Sequence, residues 1–320
     1  MTNKLSYFTP NSLLAAYFLD LAIGDPHGYP HPVRAIGWGI ERGERLARRF
    51  ARGEPGREIL AGAALTAAIV GATYAISAQM LRGAARYNQR VGKLLAVILA
   101  CATLATRNLL DEVQAVARAL ERDDLPAARL RLARVVGRDT AELDASEIAR
   151  AAIETLAESL CDGVIAPLCA LAAGGVSAAT AFKAINTLDS MIGHIESPYA
   201  FFGRVAARLD DIAVFIPARL TALLIVAVSS DPLRAALVCL RDGKRHRSPN
   251  AGCCEAAMAG ALGVRLGGAN RYDGILRDAP FIGAELRVPG VADIRTALRI
   301  TLLASLAGAF LATFARRAAA

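Results

Sequence analysis

Long apolar stretches alternate with amphipathic ones along the chain, and the longest of them predicts a membrane-spanning helix. Residues 59–81 carry no charged side chain over 23 positions. At 1.5 Å per residue, a helix of this length crosses a hydrocarbon layer of roughly 30 Å. Residues 94–106 and 300–315 are shorter apolar runs and are marginal as spans. The pattern therefore predicts a chain that enters the bilayer several times.

Two further apolar stretches contain residues that a simple spanning helix tolerates poorly. Residues 163–182 lack charges, but Pro167 and the Gly174-Gly175 pair interrupt them. A broken or re-entrant helix that lines a cavity therefore competes with a straight span. Residues 212–230 are apolar apart from Arg219. An arginine at this position is costly in lipid unless it faces protein or a polar cavity.

Amphipathic helices are predicted between the apolar stretches. Residues 107–122 form one, and Asp139-Thr140 predicts the capped start of another over residues 141–160. No alternation typical of strands is evident. The fold class expected is therefore all-α: a polytopic membrane helical bundle with broken or re-entrant helices and cytosolic amphipathic helices. We expect four or five lipid-embedded segments in a single integral-membrane domain, residues 1–320.

Composition and charge agree with this prediction. Hydrophobic residues make up 54% of the chain and charged residues 21%, with a net charge of +8. Arginines cluster between apolar runs, as in residues 41–49, without the interleaved aromatic residues that stack on bases. The positive charge therefore indicates the membrane's positive-inside bias, and nucleic acid is not an expected partner. Six cysteines without a CxxC spacing indicate reduced thiols.

Three carboxylates spaced by four residues form the first candidate site. Glu154, Glu158 and Asp162 share one face of a predicted helix, where like charges repel one another. Such a ladder is tolerated in open water or where cations occupy it. The sequence leaves open whether it forms a site for Mg²⁺ or a cationic substrate, or a solvated helix face.

Two more polar clusters follow along the chain. Asn186 and Asp189 are three residues apart, so one helical turn could offer two oxygen ligands, while Lys183 could meet a phosphate. The alternative is an interfacial helix end with a snorkelling lysine. Arg208 and the pair Asp210-Asp211 precede Arg219 and form the third cluster. Mutual neutralisation explains that cluster as well as a functional role does.

Two loops supply the remaining candidates. Residues 24–33 contain three prolines and two histidines, which predicts a rigid loop. His31 in this loop could act as an acid or base or contact a phosphate, or it could simply cap a helix. Asn250 lies in a compact polar segment, residues 246–252. No Walker A loop occurs in the chain.

Taken in order, these blocks resemble the adenosylcobinamide-phosphate synthase family, the membrane enzymes of cobalamin biosynthesis. The resemblance covers nearly the whole chain. It is carried by Gly24-Asp25-Pro26 with Pro30-His31-Pro32-Val33, Val136-Gly137-Arg138-Asp139-Thr140, Glu154-Thr155-Leu156-Ala157-Glu158 through Asp162-Gly163-Val164-Ile165-Ala166-Pro167, Lys183 through Met191, Ala207-Arg208-Leu209-Asp210-Asp211, Pro217-Ala218-Arg219-Leu220-Thr221 and Ser248-Pro249-Asn250-Ala251-Gly252.

The chain departs from the family pattern at a few positions. Cys253-Cys254 stands where the family usually has Trp-Pro before a Glu, Val214 stands where Asn is common, and Arg247 replaces a frequent Pro. These departures make the late loop the least typical part of the chain. They do not touch the carboxylate ladder or the block around Asn186 and Asp189.

The resemblance implies ATP-dependent amide formation between adenosylcobyrate and aminopropanol phosphate or ethanolamine phosphate. It implies ATP and Mg²⁺ as cofactors, a multi-pass protein of the bacterial inner membrane with its active site facing the cytoplasm, and contact with other late cobalamin-pathway membrane enzymes. The expected metal ligands are Glu154, Glu158, Asp162 and Asp189; the expected catalytic residues are Glu154, Glu158 and His31; the expected cofactor and phosphate contacts are Lys183, Asn186, Arg208, Arg219 and Asn250.

Other functional classes stay open. A broken apolar segment flanked by charges is also how carriers form substrate sites, although repeated halves are not evident in this sequence. A lipid-phosphate transferase is disfavoured because the spaced acidic pattern of the CDP-alcohol type is missing. A non-catalytic membrane relative with the same helical frame would not need the carboxylate ladder.

Overall fold

The computed structural model describes residues 7–24, 32–194 and 198–319. Helices dominate these residues, and the only strands among them are short. The helices are α1 (Pro10–Ile23), α2 (Pro32–Ala51), α3 (Pro55–Tyr87), α4 (Gln89–Cys101), α5 (Thr106–Leu120), α6 (Leu125–Leu132), α7 (Ala145–Leu160), α8 (Ala166–Ile192), α9 (Arg204–Ala213), α10 (Phe215–Val228), α11 (Pro232–Asp242), α12 (Ala251–Leu262) and α13 (Val291–Ala318); the strands are β1 (Leu266–Gly267), β2 (Asn270–Tyr272), β3 (Ile275–Arg277) and β4 (Phe281–Ile282).

The apolar stretches of the sequence become helices long enough to cross a bilayer. Four described segments qualify by length and hydropathy: Pro55–Tyr87, Gln89–Leu120, Ala145–Ile192 and Val291–Ala318. A fifth is present if α9 and α10, which bend by 46° at their junction, count as one span. The chain is a polytopic helical membrane protein, and the predicted fold class is confirmed. The run at residues 300–315, marginal by itself, belongs to the longer α13.

The predicted interruption of residues 163–182 is present in the structure. A π-helical turn, Cys161–Ile165, joins α7 to α8, and Gly175 has φ 72° inside α8. A residue in this conformation cannot continue the helical hydrogen-bond ladder, so carbonyls in the preceding turn need other donors. Arg316 donates to the carbonyl oxygens of Leu171 at 3.0 Å and Ala172 at 3.2 Å. The guanidinium thereby satisfies the backbone at the break.

The start of α7 differs from the sequence prediction. The helix begins at Ala145 rather than after Thr140, because Asp144 is its N-cap. The Asp144 carboxylate accepts a hydrogen bond from the Glu147 N–H at 2.8 Å, and the Glu147 carboxylate accepts one from the Asp144 N–H at 2.9 Å. This reciprocal capping box satisfies two backbone donors of the first turn. Asp139 instead accepts a hydrogen bond from the Gly274 N–H at 2.8 Å.

The strands were missed by the sequence analysis. β2 pairs antiparallel with β3, and β1 pairs antiparallel with β4. Asp273 and Gly274, between β2 and β3, both have positive φ, 50° and 77°. A two-residue turn with both residues in this region suits the right-handed twist of a hairpin. Strands of two or three residues are too short to show a period-two pattern, so hydropathy alone could not reveal them.

The described chain divides into two compact units, each assembled from separate segments. The first unit combines Met1–Leu104, Ala166–Val214 and Ala309–Ala320. Its apolar core brings together α2, α3, α8 and the segment before α9, with Ile40, Leu65, Leu188 and Phe202 among the buried side chains. Gly62 allows α3 to approach this core closely, since a Cβ there would lie 1.9 Å from the Phe202 carbonyl oxygen.

The second unit combines Ala105–Ile165 and Phe215–Gly308. In it α7 packs against α5 and α12, and α11 packs against α12. Gly260 of α12 permits the α11 contact, since a Cβ there would lie 2.7 Å from the Ala235 Cα atom. The β1–β4 and β2–β3 pairs also belong to this unit. α7 therefore lies among helices and strands that come from distant parts of the sequence.

Candidate active site

A buried charge cluster surrounds Glu154 on α7, in the second unit. The Glu154 side chain is only 5% exposed, and its Oε2 atom lies 2.6 Å from an Arg138 Nη2 atom that is itself part of a 12% exposed side chain. The Oε1 atom accepts a hydrogen bond from the Gly267 N–H at 2.8 Å and lies 3.5 Å from Arg150. Both carboxylate oxygens are therefore bound by cationic or backbone donors.

The two arginines of this cluster also hold the strand segment. Arg138 donates to the Asn270 Oδ1 atom at 2.8 Å, and Arg150 donates to the same atom at 3.1 Å. Arg150 also donates to the Gly267 carbonyl oxygen at 2.6 Å. We call Arg138, Arg150, Glu154 and Asn270 the Glu154 cluster. Burial opposes the charge of Arg138, but the Glu154 carboxylate outweighs this effect and raises the pKa of the guanidinium.

More carboxylates of the same unit lie close to the Glu154 cluster. Glu255 is buried on α12, and its Oε1 atom is 3.8 Å from the Nε2 atom of His246. Burial, together with the negative charges of Glu154 and Glu158, raises the pKa of the Glu255 carboxyl well above its ordinary range. A carboxyl group with such a pKa can hold a proton at neutral pH and release it when the local charge changes.

The predicted ladder is not uniform along α7. Glu154 is buried, whereas Glu158, one turn later, is exposed at the surface of the protein. Asp162 is half-buried and lies in the π-helical turn rather than on α7 itself. The sequence spacing therefore gives the order of the three carboxylates correctly but not their environments. The difference between the paired Glu154 carboxylate and the exposed Glu158 carboxylate arises only from the tertiary contacts of α7.

Arg219 and Asn250 meet in the second unit. The Arg219 guanidinium donates to the Asn250 Oδ1 atom, donates to the Phe215 carbonyl oxygen at 3.0 Å and lies 3.8 Å from the centre of the Phe215 ring. Asn250 is buried at the start of α12. Arg219 therefore has polar partners within the protein, and the two predicted cofactor contacts belong to one local arrangement.

The remaining predicted residues lie in the first unit. Lys183, Asn186 and Asp189 follow one another along the last part of α8, and Arg208 is exposed on α9. Asp189 interacts electrostatically with Asp211 of α9 and with His194. We call Asp189 and Asp211 the α8–α9 acidic pair. The second and third sequence clusters therefore contribute to one place in this unit.

An apolar cavity of about 400 Å³ in the first unit has Lys183 in its wall. Side chains of α2, α3 and α4, among them Trp38, Ile69 and Leu99, form most of its lining. The hydroxyl groups of Ser77 and Thr180, which also line it, are 3.0 Å apart and hydrogen-bonded. Lys183 is therefore a basic residue in an otherwise mostly apolar cavity wall.

The metal prediction stays a prediction. Glu154, Glu158 and Asp162 belong to the second unit, and Asp189 belongs to the first. Within residues 7–24, 32–194 and 198–319, no three His, Cys, Asp or Glu side chains are close enough to hold a metal ion among themselves. His31 lies outside the described residues.

Several residues of the site escaped the sequence analysis. Arg150 was not singled out, although it binds backbone and side-chain oxygens 117 and 120 residues away. Glu255 was noted only as the residue after Cys253-Cys254, and His246 only as part of a polar segment. Their signal in the sequence was a charged residue inside an apolar helix, as at Glu255 in α12. Burial of such a residue requires a polar partner, which only the fold identifies.

Comparison with known proteins gives a consistent picture. Residues 13–301 match the family model described as CobD/Cbib protein. The cobalamin biosynthesis protein CobD of Pelobacter propionicus is 45% identical over 282 residues, which cover 87% of this chain and 86% of that protein. The cobalamin biosynthesis protein CbiB of Salmonella typhimurium is 42% identical over 294 residues, which cover 91% of this chain and 92% of that protein. No solved structure matches the chain.

Proposed function

Because the chain belongs to the CobD/CbiB family of cobalamin biosynthesis proteins, we propose that it acts in cobalamin biosynthesis as an ATP-dependent amide-forming ligase. The reaction joins the free carboxylate of adenosylcobyrate to the amine of aminopropanol phosphate or ethanolamine phosphate and gives adenosylcobinamide phosphate. The single observation that carries the proposal is the buried Glu154 cluster, in which Arg138 and Glu154 join two blocks of the family pattern and which adjoins Glu158 and Glu255.

The chemistry of the reaction requires three kinds of group. A carboxylate is a poor electrophile, so ATP must first convert it to an acyl phosphate or an acyl adenylate. The amine arrives protonated and must lose a proton before it attacks. The phosphate groups of both substrates need cations or backbone donors. Proton acceptors and guanidinium groups are both present in the second unit.

The acidic residues divide into proposed Mg²⁺ ligands and a positioning residue. Glu158 and Asp162 are the carboxylates of the second unit that would hold Mg²⁺, with Asp189 as the candidate in the first unit. Mg²⁺ usually keeps several waters and binds one or two carboxylates plus substrate phosphates, so a complete protein cage is not required. When bound, Mg²⁺ neutralises charge on the ATP phosphates. Glu154 belongs to the positioning of α7 and the strand segment, since both of its oxygens are bound within the protein.

The other candidate residues are proposed to contact phosphate groups or to accept a proton. Lys183, Arg208 and Arg219 are the cations for the phosphate of the amino alcohol or of ATP, with Asn186 and Asn250 as polar contacts. Glu255, whose Oε1 atom lies 3.8 Å from the His246 Nε2 atom, can accept the proton of the attacking amine only after releasing its own, and His31 is the other candidate proton acceptor. Each of these roles predicts a loss of turnover without loss of membrane insertion when the side chain is neutralised.

The decisive experiment is an assay of the purified protein in detergent. Adenosylcobyrate, ATP, Mg²⁺ and aminopropanol phosphate are incubated with the protein, and the corrinoid products are separated by chromatography. We expect adenosylcobinamide phosphate to form, with ADP marking an acyl phosphate and AMP marking an adenylate. Ethanolamine phosphate in a parallel reaction identifies the preferred amine. Absence of an amide product with both amines would refute the ligase assignment.

Glu158→Gln tests the carboxylate ladder. The substitution keeps the shape of the side chain but removes its charge, so turnover should fall by roughly 100-fold or more if Glu158 supports the bound metal and nucleotide. Glu142→Gln is the matched control, because Glu142 is also exposed and belongs to the same unit. Wild-type turnover in Glu158→Gln, with the protein membrane-inserted, would remove Glu158 from the mechanism.

A carrier is the second candidate function, and the break in α8 at Gly175 is the observation that favours it. Carriers often bind substrates at backbone groups that a broken helix releases. Here Arg316 already donates to the carbonyl oxygens of Leu171 and Ala172. These released backbone groups are therefore satisfied within the protein, which favours a structural role for the break. Uptake of a labelled corrinoid into proteoliposomes without ATP would support the carrier; ATP-dependent amide formation would support the ligase.

The proposal also places the active site on the cytoplasmic side of the bacterial inner membrane, where ATP is available. Single cysteines introduced at Ala145 and Thr187 into a chain whose native cysteines are replaced would report on the two units separately. We expect a membrane-impermeant thiol reagent to label both only from the cytoplasmic side, which requires the apolar residues 163–182 to be re-entrant or buried in protein rather than to cross the bilayer once. Periplasmic labelling of position 187 would contradict this orientation.

A further inference from the structure

Two cysteines on neighbouring helices of the second unit lie in direct contact. The Sγ atoms of Cys239 on α11 and Cys253 on α12 are 3.6 Å apart, and Cys239 also donates to the Cys253 carbonyl oxygen at 3.5 Å. Both side chains are half-buried free thiols. A disulfide needs sulfurs about 2 Å apart, so the two sulfurs are in contact and must come closer to form the bond.

The backbones of α11 and α12 also approach closely at this point. A Cβ on Gly252 would lie 2.5 Å from the Gly243 carbonyl oxygen, and one on Gly243 would lie 3.4 Å from the Cys253 Cα atom. The two helices are therefore closely packed next to the thiol pair, and this packing sets the distance between the two sulfurs. Cys253 also stands in the part of the chain that departs from the family pattern.

The surroundings make Cys253 the more reactive of the two thiols. The hydrogen bond from Cys239, together with the positive charge of Arg219, lowers the pKa of Cys253 to about 7. The same contact raises the pKa of Cys239, which therefore keeps its proton. The next residue, Cys254, is buried, and its thiol donates to the Ala218 carbonyl oxygen at 3.5 Å. Thiolates, not thiols, react with peroxides, so the arrangement selects Cys253.

We propose that Cys239 and Cys253 form an oxidisable thiol pair that a peroxide converts into an intramolecular disulfide between α11 and α12. The Cys253 thiolate attacks one oxygen of hydrogen peroxide, the O–O bond breaks, and the departing hydroxide takes up a proton to become water. Cys253 is then a sulfenic acid. Cys239 loses its proton and attacks the Cys253 sulfur, and the S–O bond breaks with release of a second water. Two thiols are oxidised by two electrons and one peroxide is reduced.

Peptide mapping tests this proposal without any assay of turnover. The purified full-length protein is treated with a few equivalents of hydrogen peroxide, its remaining thiols are alkylated, and it is digested without reductant. We expect a linked peptide that joins Cys239 to Cys253 and that a dithiol reductant separates. Alkylation of both residues after treatment, or a link between Cys253 and Cys254 or between Cys161 and Cys254 instead, would overturn the proposal.

Serine variants assign the two roles. In Cys239→Ser, Cys253 should stop at the sulfenic acid and react with a dimedone-type probe; in Cys253→Ser, Cys239 should remain alkylatable. Cys169→Ser is the matched control, because Cys169 is also half-buried but is in the first unit, and it should leave the linked peptide unchanged. In untreated wild-type protein, the alkylation rate of Cys253 should reach half its maximum near pH 7. A half-maximum at an ordinary cysteine pKa, about 8.5, would contradict the activation of Cys253.

Discussion

In the Glu154 cluster each carboxylate oxygen faces an opposite charge or a backbone N–H, whereas in the α8–α9 acidic pair a carboxylate has another carboxylate as its neighbour. Opposite charges that share hydrogen bonds stabilise one arrangement of the backbone. Like charges in proximity raise the energy of the folded chain unless a proton or a cation lies between them. The first arrangement is therefore suited to hold segments in place, and the second is the one for which we propose a bound cation.

An acidic residue in an apolar segment can be the partner of a structural ion pair or a candidate ligand of a bound group. Glu154 and Asp189 both follow apolar residues on helices and look equivalent in the sequence. Glu154 is bound by Arg138, 16 residues away, and by the Gly267 N–H, 113 residues away. Asp189 instead interacts with Asp211 of the helix that packs beside it and with His194. The difference predicts that substitution of one affects mainly stability and substitution of the other affects mainly activity.

The largest expected effect on stability follows from Glu154→Ala. The substitution leaves Arg138 and Arg150 buried without their carboxylate, and breaking a buried ion pair costs roughly 3–5 kcal/mol of unfolding free energy. Glu158→Ala is the matched control, one turn along α7 and exposed, and its cost should stay below about 0.5 kcal/mol. Thermal unfolding in detergent measures both. Equal stability of the two variants would show that the Glu154 cluster does not hold the fold.

Asp189→Asn tests the other half of the comparison. If the α8–α9 acidic pair binds a cation needed for turnover, the rate of amide formation should fall by about 100-fold, equivalent to about 2.7 kcal/mol in the barrier. The unfolding temperature should not fall, because the substitution removes a like-charge repulsion. Ser190→Ala on the same helix is the control for local disturbance. A stable variant with full turnover would assign the pair a structural role only.

Gly62→Ala probes the apolar side of the first unit. The new methyl group would lie 1.9 Å from the Phe202 carbonyl oxygen, so α3 or the segment before α9 must shift. Overpacking of this kind costs about 2 kcal/mol. Gly71→Ala on the same helix has no atom within 4 Å of its new Cβ and should be neutral or slightly stabilising. Unfolding in detergent compares the two, and a similar destabilisation of both would contradict the close contact at Gly62.

In the second unit, the pH dependence of stability tests how much another paired carboxylate, that of Asp242, contributes to the fold. The hydrogen bond from Arg241 lowers the pKa of this buried carboxyl, and the Gly283 N–H adds to the effect against the opposing influence of burial. A carboxyl with a lowered folded-state pKa stabilises the fold above its unfolded pKa of about 3.9, and this contribution is lost as the pH falls through the folded-state value.

Asp242→Asn should therefore be less stable than the wild type at pH 7, and the two should converge as the pH falls below about 3.9 and through the lowered folded-state pKa. The effect is expected to be the smallest of the set, because Arg241 and Arg245 are about half exposed and solvent screens their charges. Urea unfolding of both proteins across this pH range measures the convergence. A constant stability difference at every pH would show that the lost carboxylate charge is not its cause.

Much of the helical frame could be predicted from hydropathy. The charge-free residues 59–81 lie inside α3, and residues 107–122 correspond closely to α5. The interruption near Gly174-Gly175 was also predictable, because glycine has a low helix propensity and readily adopts positive φ. The start of α7 was not, because Asp139 and Asp144 are both suitable caps and only the contact of Asp139 with the Gly274 N–H distinguishes them.

The candidate site could likewise be predicted only in part. The sequence by itself determined which residues carry charge, how far apart they lie along a helix and that the helices around them enter a membrane, since these depend on composition and on contacts within a few turns. Tertiary structure alone decided that Glu154 is bound by two arginines, that Glu158 is not covered by protein and that Cys239 touches Cys253. Burial and ion pairing depend on atoms from segments that are distant in the chain, and no local pattern specifies those neighbours.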